Sequence, residues 1–391
     1  MRRALPALGL AALLVHAVGA DPLRLRADAL ATTASPAGLL VRDASGAAEP
    51  GLSAEAVVWV AGGQALDDRA HGDVLVIAVD AHSHDGARAA RLGRFVATLG
   101  ALRPVHVDGG ALRLRLPQRL DLALAAGVPV VPGVMTRRAW DWLVGGRVAR
   151  RLGDWGSAGI AYEQRRDDGQ LVTEELGVDA GAALGRRDDL GARLAYDLAT
   201  PGLAELGLTA SHRGAHLRTE LYVLHRAASH LLPATSLFSV IGDVAAQRAG
   251  AVVTWPAAPR LDLIADAGAR RVDMDLGAEL TVRARLKLDA RGASAVSAEL
   301  RRSGVGADAW TGARGTGRLA LAHAFTISTE LELVRPDEPR GRGALWPWAL
   351  AAVSWAPGAW QAAVAVEASA SPEYRRRVDA LVQLGRRWGA P

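Results

Sequence analysis

Cysteine is missing altogether from the 391 residues, which excludes disulfides, thiolate metal sites and cysteine nucleophiles. Lysine is almost missing: Lys287 stands alone among arginines, and the charges are scattered without a basic block, so no nucleic-acid footprint is indicated. After the first twenty residues no stretch of ~18 apolar residues runs uninterrupted by charge, so no transmembrane helix is expected there. Nor does any later stretch carry a persuasive amphipathic helix. Phenylalanine is scarce, three residues against eleven tryptophans, a skew that a plain soluble core does not require.

What is present begins with a leader pattern. Arg2 and Arg3 precede the apolar run Ala4–Val15, and Val18-Gly19-Ala20 supplies small residues before Asp21. That is the anatomy of a secretory signal, with residues 1–20 removed and 21–391 forming one mature domain. Removing the leader takes away Arg2 and Arg3 and no acid, lowering the formal charge from +5 to +3.

The mature chain alternates. From Met274 to Leu288 every second residue is apolar, and every residue between them is polar, charged or glycine. The same period recurs at 190–198, 204–210, 217–223, 261–270, 325–333 and 360–369, with Pro201-Gly202 and Arg213-Gly214 marking brief turns. Period two places one class of residue on each face of a strand, whereas helical spacing would mix them. The runs at 54–63 and 73–81 are nearly continuously apolar and are expected to be strands as well. A first strand is expected at 23–34, followed by a loop. Turn clusters such as "RRDDG" (165–169) and "RPDEPRGRG" (335–343) punctuate the chain without a domain linker. At ~20 residues per strand and turn, this tiling predicts about 16–18 strands.

Alternation alone does not say which face is outside. A soluble barrel turns the apolar face inward; a membrane barrel turns it to lipid and encloses the charges. The leader, the length of the alternating runs and the placement of tryptophans near turns favour the membrane. The expected interfacial aromatics are Trp140, Trp142, Trp155, Trp255, Trp310, Trp346, Trp348, Trp355, Trp360 and Trp388. Tryptophan suits that depth because an apolar body carries one polar N–H.

The segment 373–388 adds a further sign. Tyr374, Val378, Ala380, Val382, Leu384 and Trp388 share one register, interrupted by Arg376 and Arg386. It resembles the terminal strand of bacterial outer-membrane barrels, although tryptophan stands where phenylalanine is commoner and Gly389-Ala390-Pro391 follow. The resemblance to that class covers 23–388 in pattern. It implies outer-membrane lipid and the barrel-assembly machinery, engaged through 373–388, as partners, and the cell outer membrane as location. A weaker echo lies in 91–117, where Arg91, Gly93 and Arg94 are followed by Asp108-Gly109; it looks like alginate-export-type porins and implies passage of an anionic solute through an arginine-lined pore.

The expected fold is therefore all-β: a single antiparallel up-and-down transmembrane β-barrel. The expected activity is porin-like passive passage of small polar or anionic solutes, with no enzyme chemistry and no cofactor. The candidate pore-lining set is Arg193, Asp197, Arg218, Glu220, Asp262, Asp266, Arg270, Asp275, Glu279, Arg283, Arg285, Lys287, Glu330 and Glu332. Such charges set the field that selects ions, unless they pair across strands and merely solvate the lumen. Arg283, Arg285 and Lys287 form the strongest anion-attracting patch read from sequence. Two alternatives remain: an occluded structural or adhesion barrel, and a soluble secreted all-β protein. His82 and His84 have the spacing of a zinc pair but lack a visible third ligand, and a solvated turn suits them better. Gly156-Ser157-Ala158-Gly159 lacks nucleophile-elbow spacing, and the glycines of 312–318 carry no phosphate-loop Lys-Ser/Thr.

Overall fold

The computed structural model describes residues 23–32, 37–49, 51–63, 71–130, 141–227, 246–272, 274–306, 309–338, 344–370 and 376–388. The leader at 1–20 and Trp140 lie outside them. Within them the chain is a succession of strands joined by turns and short loops, and the helical turns among the described residues are single 3-10 turns at Pro117–Arg119 and Ala322–Ala324. The strands are β1 (Leu23–Thr32), β2 (Ala37–Glu49), β3 (Leu52–Gly63), β4 (His71–His82), β5 (Arg88–Ala97), β6 (Val105–Leu116), β7 (Leu120–Pro129) and β8 (Trp142–Leu152). They continue with β9 (Gly156–Asp167), β10 (Gln170–Leu184), β11 (Asp188–Asp197), β12 (Gly202–Arg213), β13 (Arg218–Arg226), β14 (Ala246–Ala258) and β15 (Leu261–Val272). The last are β16 (Asp275–Lys287), β17 (Ala295–Ser303), β18 (Trp310–Ala320), β19 (Phe325–Pro336), β20 (Trp346–Trp355), β21 (Trp360–Ser369) and β22 (Arg377–Trp388).

Each strand pairs antiparallel with the next, and β1 pairs with β22 from Leu23 opposite Trp388 to Thr32 opposite Asp379. The sheet has 22 strands and no free edge. Closure satisfies every ladder, which an open sheet in a membrane could not do. The strand number exceeds the expected 16–18. One reason lies in 37–49, expected as loop: its sequence, "AGLLVRDASGAAE", has no clean alternation, yet it forms β2 between β1 and β3. Another lies in the turns, several of which are much shorter than a ~20-residue repeat allows. Asp168 and Gly169 alone join β9 to β10, both with positive φ (53° and 74°). That is the two-residue hairpin turn whose twist matches the strands it joins.

Alternation in β16 shows how the wall is built. Leu276, Ala278, Leu280, Val282, Ala284 and Leu286 are exposed, while Glu279, Thr281, Arg283 and Lys287 on the other face are half-buried. The exposed apolar row recurs around the sheet, with Leu300 at 64%, Leu331 at 65% and Leu384 at 52% exposure. Solvent water would penalise that band. The charges are screened inside the closed wall, so the apolar band is turned outward, the inside-out distribution of a transmembrane barrel.

The two rims differ. At one rim the connections are brief: 50–51, 117–119, 153–155, 259–260. β1 begins and β22 ends there. The opposite rim carries the long connections, 130–141 and 227–245 among them.

Candidate functional site: an arginine-lined cavity under an inserted loop

The β5–β6 connection, residues 98–104, starts from the long-connection rim and folds inward onto the charged face. Its turn is closed by the Leu102 N–H donating to the Leu99 carbonyl, 3.1 Å. Leu99, Ala101 and Leu102 are buried, and the two leucines join Phe95, Val107, Ala125, Leu143, Ala161 and Ala195 in one apolar cluster. Apolar side chains on an otherwise charged face need such cover, and the loop and wall supply it to each other.

Glycines make the seat. A Cβ on Gly145 of β8 would lie 2.5 Å from Leu99 Cδ1, and one on Gly177 of β10 would lie 2.8 Å from Leu102 Cδ2. Gly100, at the tip, has φ +60° and rests against Asp179 and Arg147. Those two form a forked ion pair, with Arg147 Nε donating to Asp179 Oδ1 at 2.9 Å and Nη2 to Oδ2. Arg103 reaches Glu175 of β10 at 3.5 Å. The loop thus stands across the lumenal side of β6 to β10, tied at tip and base.

Beside the loop lies a cavity of about 620 Å³ lined by Thr98, Gly100, Arg113, Arg115, Asp121, Arg147 and Arg151, among others. Strand periodicity explains the gathering. Arg113 and Arg115 are two apart on β6, and Arg147 and Arg151 are four apart on β8, so each pair shares one face of its strand. Asp121 of β7 stands between the pairs, 3.9 Å from Arg115 and 3.6 Å from Arg151. Among the described residues no carboxylate pairs with Arg113. The cavity lining therefore carries more positive than negative charge.

Most of the remaining inner wall is neutralised pairwise. Arg193 meets Glu205 at 2.5 Å, and Arg218 meets Glu220 at 3.5 Å. Arg248 reaches Glu279 at 2.6 Å and Asp266 at 3.1 Å, and Arg270 reaches Glu279 at 3.5 Å. Tyr222 donates to Asp266 at 2.7 Å. Arg301 pairs with Glu299 and Glu332, and Arg314 with Glu330. Asp197 accepts from the Thr200 N–H at 2.8 Å and is buried, a loop anchor. Asp275 sits against Gly306. Of the patch read from sequence, Arg283 is paired with Glu299 and Lys287 with Asp262 at 2.8 Å; only Arg285 has no carboxylate partner among the described residues. Alternation identified the face these residues share, but cross-strand register brings the acids that cancel them.

The tryptophans divide. Trp255, Trp355 and Trp360 are exposed in apolar rows, as is Phe325, whose ring centre lies 6.1 Å from that of Trp355. Trp388 shares the apolar row of β22, and Trp155 lines an external groove with Leu190, Leu208 and Leu221. Trp142, in the phase of Val144 and Val148, has Arg166 5.8 Å from its ring centre. Trp310, Trp346 and Trp348 instead lie in the charged phase. Arg301 stacks on Trp310 at 5.4 Å, and Trp348 Nε1 donates to Glu367 at 2.6 Å. In β20 the exposed phase belongs to Ala351, Val353 and Trp355, which leaves Trp346 and Trp348 facing inward. Nearness to a turn indicates depth, whereas the phase of the strand decides the side.

Other sequence candidates are not assembled. His82 and His84 gather no third ligand; among the described residues no group of three metal-ligating side chains exists. Asp85 instead ties its own turn, accepting from Ser83 Oγ at 2.5 Å and the Ala87 N–H at 3.0 Å, which holds its carboxyl below the usual value.

No protein family matches the chain, and no curated protein resembles it. Solved structures do. The P pilus usher (PapC) translocation pore aligns with 95% of this chain and all of its own, at TM-score 0.51 and 10% identity. The barrel wall shares its overall fold with that pore. An E. coli P pilus tip assembly intermediate, PapC-PapD-PapK-PapG, aligns at TM-score 0.52 and 10% identity over 94% of this chain and 61% of that longer one. At such identity the likeness concerns the wall alone. The inserted loop and the arginines beside it are features of this chain's own sequence. Arg113 and Arg115 are not among the candidates read from sequence; the alternating charge of "LRLRLP" is the signal that points to them, but their partnership with β8 depends on two intervening ladders.

Proposed function

We propose that the protein is an outer-membrane channel for passive passage of small polar solutes, with a preference for anions set at the cavity beside loop 98–104. The carrying observation is the convergence of Arg113, Arg115, Arg147 and Arg151 on one lumenal cavity that has Asp121 as its acidic lining residue. Fixed cations raise the local concentration of anions in a narrow aqueous path and repel cations, without covalent chemistry. Width supports conduction: a circular barrel of this strand number is roughly 40 Å across by strand spacing and tilt, too wide to be filled by wall side chains. The usher of the same fold is itself a translocation pore. The brief turns, with the start of β1 and the end of β22 beside them, support reading that rim as periplasmic, and the barrel-assembly machinery would engage the 373–388 segment before β22 pairs with β1. The leader 1–20 would direct export.

The test is planar-bilayer recording across a salt gradient. Wild-type protein gives single-channel steps and a reversal potential on the anion side. Arg113→Glu with Arg115→Glu moves that potential toward the cation side. Absence of steps at any voltage overturns the channel, and an unmoved potential in the double variant overturns the site.

A further inference from the structure

We propose that Arg386, held between Trp360 and Trp388, binds the phosphate of a phospholipid headgroup on the outer surface of the barrel. The inference rests on the membrane-barrel reading and goes beyond conduction. Arg386 breaks the apolar row of β22: Val378, Val382 and Leu384 in that row are exposed, and Arg386 is exposed with them. Its ladder neighbours are Leu25 of β1 and Trp360 of β21, so it sits at the seam where the barrel closes, beside the brief-turn rim.

The guanidinium carbon lies 4.7 Å from the ring centre of Trp360 and 4.7 Å from that of Trp388. Two rings against one cation restrain its position and supply favourable cation–π contact. Ring contacts consume no N–H in a hydrogen bond, and among the described residues Arg386 makes none, so its donors are available to a forked acceptor such as phosphate. Among the described residues no carboxylate pairs with Arg386. A cation in a hydrocarbon-facing row is expensive unless it reaches an anion or water. The exposed Trp255, Trp355 and Trp360 near this rim mark the depth at which headgroup phosphates lie. Lipid is favoured over free phosphate as the source because exposed apolar side chains surround the site. Arg150 provides an internal comparison: it too is exposed in an outward row, on β8 opposite Leu120, but no aromatic ring stacks on it among the described residues.

Detergent-purified protein titrated with phosphatidylglycerol and followed by native mass spectrometry tests the assignment. Wild type is expected to retain one phosphatidylglycerol more than Arg386→Gln, whose site weakens about tenfold, the value of one charge-assisted contact. Arg150→Gln should match wild type, and millimolar inorganic phosphate should not displace the lipid. Equal retention by wild type and Arg386→Gln overturns the site. Equal loss in Arg150→Gln reduces it to general charge attraction, and displacement by inorganic phosphate identifies a free-anion site instead. Heat-modifiable electrophoretic mobility reports whether each variant is folded; should Arg386→Gln fail to fold, Trp360→Leu, which keeps the cation and removes one ring, is expected to bind more weakly, and unchanged binding there overturns the proposal. Single-channel conductance of Arg386→Gln stays at the wild-type value, so loss of this site and loss of the channel are separate results.

Discussion

Gly177 and Gly145 each leave room for a leucine of the inserted loop, and a side chain at either position would occupy that room. Gly177→Leu is therefore expected to displace Leu102 while leaving the ladders of β10 intact. Raised single-channel conductance with unchanged heat-modifiable mobility is the expected outcome; conductance equal to wild type would show that the loop does not restrict flow. Tyr222 is a second single-residue case. Its ring occupies the space left by Gly250 and Gly268, and its hydroxyl donates to Asp266. Tyr222→Phe keeps the ring and removes the bond, but Arg248 still pairs with Asp266. The expected cost is about 1–2 kcal/mol, read as a lower midpoint in denaturant unfolding. Nothing in the alternation distinguishes either glycine from a spacer, because the atoms that fill the gap come from distant segments.

Single elements were the most legible level. The run from Met274 to Leu288 became β16, Asp275–Lys287, with its apolar residues outward. The turn after it depends on one side chain. Asp289 accepts from the N–H groups of Arg291 at 2.9 Å, Ala293 at 3.1 Å and Ser294 at 2.5 Å. These bonds, above all that from Ser294, hold its carboxyl below the usual 3.8. A lowered folded-state value means the stabilisation is fully present above the ordinary carboxylate range and is lost as pH falls through the folded value. Amide exchange at Ser294 should accordingly stay slow as pH drops to about 4, where a free carboxylate is already about half protonated. Asp289→Ala should speed that exchange at every pH; wild-type protection lost well above pH 4 would contradict the sign. Elements lacking alternation were illegible by the same logic. β2 has apolar neighbours in sequence and Gly or Ala where contrast is needed, so only its partners β1 and β3 define it.

The whole molecule depends on one seam. β1 and β22 pair over ten positions from Leu23–Trp388 to Thr32–Asp379. Ending the chain before Arg377 would leave β1 and β21 as open edges, each with unpaired backbone groups. Such groups cannot be satisfied in hydrocarbon. The truncated chain is expected to show no heat-modifiable folded band and to aggregate; a folded, conducting truncation would mean that closure is dispensable.

By itself the sequence determined the strand class, the apolar and charged faces of the long alternating runs, and the absence of helix spans and thiol chemistry. Those follow from local period and composition. Tertiary structure decided which charges remain uncompensated, which tryptophans face inward and which connection enters the lumen. The reason is physical: each depends on cross-strand register or on contacts over long sequence separation, as when Glu299 cancels Arg283 while Arg113 and Arg115 meet Arg147 and Arg151 across β7.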